Sequence, residues 1–252
     1  KFEDGKITMP QEFKDAYRQG IDEGWLSTTC ELEHGGMGVP LFFQAVTWAE
    51  FGTSACMALS VLPALSIGVY EVLVKHGRQD LIDYFATNLA SGEWSGTMCL
   101  TEPHAGTDLG IITTKANPQE DGTYRLSGSK CFITYGEHDM AENIVHLVLA
   151  KASGGPEGTR GISLFLVPKF LSEDWQSGGL EGISHSLTSE HNGVTCSGTE
   201  EKMGLHASPT CVMNLDDSVG WLVGPLHGGM PLMFEMMNRE RLATGLMGVG
   251  LA

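Results

Sequence analysis

Apolar residues recur every fourth position after Pro10. Phe13, Tyr17, Ile21 and Trp25 fall on one helical face, with a proline suited to the helix start and Gly24 to its end. The spacing predicts an amphipathic helix. After a glycine-rich turn, HGGMGV (34–39), residues 41–51 and 55–76 read as two further helices, the second apolar nearly all round and so deeply buried. A fourth covers 79–89, and the short connections imply a helical bundle over residues 1–94.

Beyond Trp94 the pattern shortens. Segments 96–101, 123–127, 131–134, 144–151, 162–168, 193–197 and 210–215 are rich in β-branched residues and separated by glycine, asparagine and proline turns. No helical crossover lies between them, which predicts an antiparallel barrel or sandwich over residues 95–224, not βαβ units. From Gly228 the helical period returns. Met233, Met236, Met237, Leu242, Leu246 and Val249 form an apolar face running to the last residue, the expected start of a second helical bundle over 225–252. The fold class is therefore α+β.

Charge removes several functions. Fifteen basic residues against 31 acidic ones give a net charge of −16, which repels nucleic acid and anionic membranes. The apolar stretch 55–69 is interrupted by Ser60, Pro63 and Ser66, so no membrane span is expected. The chain opens on a lysine without a signal or transit pattern and closes inside an apolar run, and reads as a piece cut at both ends. Six scattered cysteines with no CxxC pair predict neither a zinc site nor a disulfide framework, but buried thiols in a reducing cytoplasm. Nine histidines include no HExxH pair, so no metal site is expected. There is no P-loop, no GxGxxG after a strand, and no GxSxG to accompany His34-Gly35-Gly36 as a hydrolase oxyanion loop.

Two short segments remain. In MCLTEPHAGTD (98–108), Pro103 cannot donate to a ladder, Gly106 permits close approach of a phosphate or ring, and Thr107 adds a hydroxyl to bare N–H groups. An ordinary strand-turn whose glycine satisfies a positive φ fits the same residues. In KCFIT (130–134), strand alternation puts Phe132 and Thr134 on one face, as a ring platform or as plain sheet packing.

Taken together and in this order, the two segments resemble the middle domain of the acyl-CoA dehydrogenase family. The resemblance runs along the whole chain, through GGMGVP, TEPHAGTD, GSKCFIT, GISLFLVP, EKMGLHASPT and NRERLATGLMGVGLA. Within the family, VPKFL and EEKMGLHASPTCVMNLD look most like the subgroup that includes 3-methylmercaptopropionyl-CoA dehydrogenase. The resemblance implies FAD, with Met98, Leu100 and Thr101 along the isoalloxazine, Gly106 and Thr107 at the pyrophosphate, and Thr107 also reaching the acyl-CoA. Phe132 stands where the family usually has tryptophan against the flavin face, keeping an apolar cover but losing an N–H donor, and Thr134 lies near flavin N5.

The implied reaction is α,β-desaturation of a 3-methylmercaptopropionyl or fatty acyl thioester, as in β-oxidation, by proton abstraction and hydride transfer. In most of the family the base is a glutamate far downstream; in the isovaleryl and long-chain branches it precedes an arginine on the first long helix after the β domain. Here that position holds Glu240 before Arg241, and Arg241 and Asn238 match positions that approach substrate. A glutamate between two arginines on a helix reads equally as a solvated or salt-bridged face, and an arginine beside it would favour its ionised form. The resemblance further implies electron-transfer flavoprotein as acceptor and a homodimer or homotetramer. Relatives complete the FAD site from the last domain and a neighbouring subunit, so this chain alone is expected to bind FAD weakly. A catalytically silent fragment, or an oligomerisation or binding module, is the competing expectation.

Overall fold

A computed structural model describes residues 1–46, 57–172 and 190–252. The strands β1 (Phe2–Glu3) and β2 (Lys6–Ile7) form a hairpin ahead of helix α1 (Gln11–Asp22). Pro10, with φ −56°, precedes α1, and Gly24, in the left-handed region at φ 76°, ends it. The apolar line thus stops at Ile21. Trp25 falls beyond the reversal, in a 3-10 turn, and is 50% exposed.

Residues 41–46 are helical, and the remainder of the 41–51 segment, with Ala55 and Cys56, lies outside the described residues. Helix α2 (Met57–His76) continues through Pro63, and α3 (Gln79–Ser91) closes on a left-handed Gly92. By length and composition Ala58–His76 is apolar enough to cross a bilayer, a longer stretch than the interrupted 55–69 run had indicated; 61% of it is buried inside the protein. It is the core helix. Gly96 shows how tightly the sheet approaches it: a Cβ there would stand 2.7 Å from a Val69 methyl, and its N–H donates to Ser66 Oγ at 3.0 Å.

The β domain comprises β3 (Trp94–Cys99), β4 (Lys115–Pro118), β5 (Tyr124–Thr134), β6 (Asn143–Ala152), β7 (Ile162–Pro168), β8 (Phe170–Leu171), β9 (Glu190–His191), β10 (Val194–Thr199) and β11 (Thr210–Val223). The expected segments 123–127 and 131–134 are one continuous strand, and β4 went unread because lysine, asparagine and proline mask its period. Pairing runs β11–β5–β4–β6–β7 and back to β11, which closes a barrel. Most ladders are antiparallel as expected, but β3 and β4 run parallel to β6, so the sheet is mixed.

Strands β6 and β7 are buried on both faces, and this is why they read as unbroken apolar runs. Val145, Leu147 and Leu149 join the core under α2 and α3, with Trp94, Trp221 and Phe85, while Val148 and Ala150 face the barrel interior with Ile133, Phe165 and Val167. Helix α4 (Gly229–Leu251) starts against β7, where a Cβ on Gly229 would stand 2.4 Å from the Ser163 carbonyl carbon. Met233 and Met236 are buried as expected, but Leu242 and Val249 are 46% and 67% exposed. The inward line continues instead through Glu240, Ala243 and Met247.

Candidate active site

The two segments singled out in the sequence meet where β3 ends, two residues earlier than expected. Cys131 N donates to Thr101 O at 2.9 Å, and Lys130 Nζ donates to Leu100 O at 3.1 Å and to Glu102 Oε1 at 2.9 Å. Glu102 Oε2 accepts from Thr113 N (2.7 Å) and Oγ1 (2.9 Å), and Oε1 from Thr114 N (3.0 Å) and Oγ1 (2.6 Å). Both charged side chains are buried. Burial pushes the Glu102 carboxyl up, but the Lys130 ammonium and the threonine donors outweigh it and hold the group at about 2. Burial pushes the Lys130 amine down, against the pull of Glu102. Neither residue had been read as part of the site. The available signal was an opposite charge in each of the two segments, Glu102 in one and Lys130 in the other.

From Glu102 the chain makes a two-residue turn through Pro103 and His104, with Glu102 N to Ala105 O at 3.1 Å and Ala105 N to Glu102 O at 2.9 Å. Gly106 and Thr107 follow, exposed. Gly106 lies outside the left-handed region, and a Cβ built on it meets nothing within 4 Å. The chain itself therefore places no demand for glycine here, which removes the positive-φ account of the turn. Among the described residues no hydrogen bond uses the N–H of Gly106 or Thr107, nor the hydroxyls of Thr101, Thr107 or Thr134. Met98 and Leu100 are half-buried against the main core beside Thr101.

In β5 the strict alternation is broken. The register against β11 shifts between Cys211 and Met213, leaving an extra residue on β5, and Phe132 takes φ 59°. Phe132 is 61% exposed while Cys131 and Ile133 are buried. A left-handed phenylalanine is strained backbone, kept here at a position that presents a ring to the outside.

Thr134 lines a cavity of about 460 Å³ whose wall includes Val61 and Ala64 of α2, Lys202, Thr210, and Glu240, Ala243 and Met247 of α4. Thr210 is the cross-strand partner of Thr134, and Lys202 Nζ bonds its hydroxyl at 3.0 Å. Glu240 is not on a salt-bridged surface. Arg239 is turned to Glu71 and Gln44. Arg241 bonds Asn238 Oδ1 at 2.9 Å and lies over the Phe234 ring at 5.5 Å. Glu240 Oε1 is buried with no hydrogen-bond partner among the described residues. Burial pushes its carboxyl up to about 7, against the pull of Arg239, so the expectation that an adjacent arginine favours ionisation is overturned by desolvation. Asn238 and Arg241 are exposed and do not line the cavity. The structure thus brings Thr134 and Glu240 together and leaves Asn238 and Arg241 outside.

A mixed barrel set between helical regions is the fold of the acyl-CoA dehydrogenases. The chain belongs to that family: residues 3–93 match the acyl-CoA dehydrogenase N-terminal domain and residues 97–218 the middle domain. It is similar to 3-methylmercaptopropionyl-CoA dehydrogenase of Ruegeria pomeroyi, 44% identical over 252 residues, with 100% of this chain and 41% of that protein covered. A butyryl-CoA dehydrogenase of Syntrophomonas wolfei is 37% identical over 254 residues, covering 97% of this chain and 40% of its own. An acyl-CoA dehydrogenase from Bacillus anthracis, solved in complex with FAD, superposes with a TM-score of 0.75 at 25% identity, over 95% of this chain and 37% of that one. The chain spans about two fifths of the length of these relatives.

Proposed function

We propose that this chain is the cofactor-binding part of an FAD-dependent acyl-CoA dehydrogenase that desaturates an acyl-CoA at its α and β carbons. The observation carrying this reading is the cavity shared by Thr134 and the unpartnered Glu240. The residues present fit the cofactor: open N–H groups at Gly106 and Thr107 suit a pyrophosphate, and the free hydroxyls of Thr101 and Thr134 suit the polar edge of a flavin. FAD, when bound, supplies the hydride acceptor for the β-hydrogen.

The chain's own part is to take the α-proton and to keep water out. Burial holds the Glu240 carboxyl up at about 7, the range in which a general base combines a usable basic form with sufficient proton affinity. Val61, Ala64, Ala243 and Met247 give the cavity an apolar wall suited to an acyl chain. The substrate we propose is 3-methylmercaptopropionyl-CoA or a short fatty acyl-CoA, in keeping with the relatives, and the electron acceptor an electron-transfer flavoprotein.

A second reading, with the proton acceptor outside these 252 residues, is favoured by one fact: the chain spans only two fifths of its relatives. Glu240→Gln in the full-length protein separates the two. Dye reduction by a panel of acyl-CoA substrates is expected to fall by about 10²- to 10⁴-fold with flavin still bound. Activity within a few-fold of wild type assigns the base elsewhere, and a wild-type protein without flavin absorbance overturns the FAD assignment.

A further inference from the structure

We infer that Glu102 and Lys130 act as a positioning pair that sets the geometry of the cofactor turn by tying both flavin-facing segments to one buried ionic contact. The inference rests on the FAD reading above and goes beyond it, since neither residue faces the cavity or carries an open donor.

Glu102 is a hub at two levels. Its carboxylate is shared among Lys130, Thr113 and Thr114, so it fastens the end of β3 to β5 and to the residues entering β4. Its backbone makes both bonds of the turn to Ala105, one residue before Gly106. Lys130 holds the opposite side: it bonds Leu100 O, while the next residue, Cys131, bonds Thr101 O. Two residues after Lys130 comes the strained, outward Phe132, and four after it Thr134. Every group proposed to meet the flavin is thus within five residues of Glu102 or four of Lys130 along the chain.

The placement is not what stability alone would select. A buried ion pair is often replaceable by apolar side chains without loss of folding free energy, because desolvation of both charges offsets their attraction. What apolar residues cannot reproduce is a carboxylate accepting four directed threonine bonds and one ammonium at fixed angles. A functional site needs that kind of support around the residues that touch the ligand.

The test uses the full-length protein with Glu102→Met/Lys130→Met together, and Glu102→Asp as a variant that keeps the charge but shortens the reach. Three measurements are taken: FAD dissociation constant by flavin fluorescence, apoprotein melting, and amide exchange at Ala105 and Cys131 compared with β6 and β7. The expected result for both variants is FAD binding weakened by about tenfold or more. Exchange should accelerate at Ala105 and Cys131, while β6 and β7 keep wild-type protection. If the double variant does not fold, Glu102→Asp carries the same readouts. FAD affinity within twofold of wild type in a folded variant overturns the positioning role, as does weaker binding accompanied by equal loss of protection throughout β6 and β7. Failure of the wild-type protein to bind FAD overturns the cofactor reading itself.

Discussion

Two polar regions of the molecule are built on opposite principles. Around Glu102 every donor and acceptor is used: two threonine hydroxyls, two backbone N–H groups and a buried ammonium converge on one carboxylate. Around the neighbouring turn and cavity the hydroxyls of Thr101, Thr107 and Thr134, the N–H groups of Gly106 and Thr107, and Glu240 Oε1 have no partner among the described residues. Saturation makes a fixed frame, and the open groups are the ones a ligand would meet in the function proposed above. A buried polar atom without a partner is costly, and Glu240 Oε1 shares that condition with His146 Nε2 and Ser218 Oγ, so the reading of Glu240 as a base rests on the cavity it lines.

The comparison breaks most severely at Lys130. Lys130→Met leaves a carboxylate buried without its counter-charge, and urea unfolding should show a loss of roughly 3–5 kcal/mol. Next in size is the pH dependence, where the two carboxyls move oppositely. Glu102, depressed to about 2, contributes stability above its ordinary 4.5 that is lost as pH falls through about 2. Glu240, raised to about 7, contributes stability fully present below 4.5 that is lost as pH rises through about 7. Glu240→Gln should therefore melt higher than wild type at about pH 8, by roughly 1–3 kcal/mol, and match it near pH 4. An unchanged difference across that window would disprove the elevated value.

Smaller effects sharpen the contrast. Phe132→Gly removes left-handed strain and an exposed ring, so folding should gain up to about 1 kcal/mol while flavin binding weakens. Gly106→Ala should leave the melting temperature unchanged within about 0.5 kcal/mol, since its Cβ meets open space, yet reduce FAD affinity measured on the same sample. A loss of stability there would mean that the turn, and not a ligand, requires the glycine.

Much of this was legible in one dimension. The helical faces around Tyr17 and in α2, the change of period after Trp94 and the apolar runs of β6 and β7 follow from local spacing, because burial of one face or two leaves a periodic trace. The segments 98–108 and 130–134 were recognisable as a pair, and the structure does bring them into contact. The Glu102 clamp was not legible, since its partners lie 11, 12 and 28 residues away and nothing in local sequence says which threonine meets which carboxylate. Glu240 was misjudged in its surroundings. It continues the Met233 and Met236 line, but two flanking arginines suggested a charged surface, and only the packing of α4 on α2 shows both arginines turned away.

The sequence by itself determined the order of helical and β regions and the acidic balance of the chain, both of which depend on side-chain period and composition. Tertiary structure decided that the sheet closes as a mixed barrel, that Phe132 sits on a bulge, and that Thr134 and Glu240 border one cavity. The physical reason is reach. Burial period is written within a few residues, whereas desolvation of a carboxyl and closure of a barrel are set by atoms that are distant in the chain and adjacent in space.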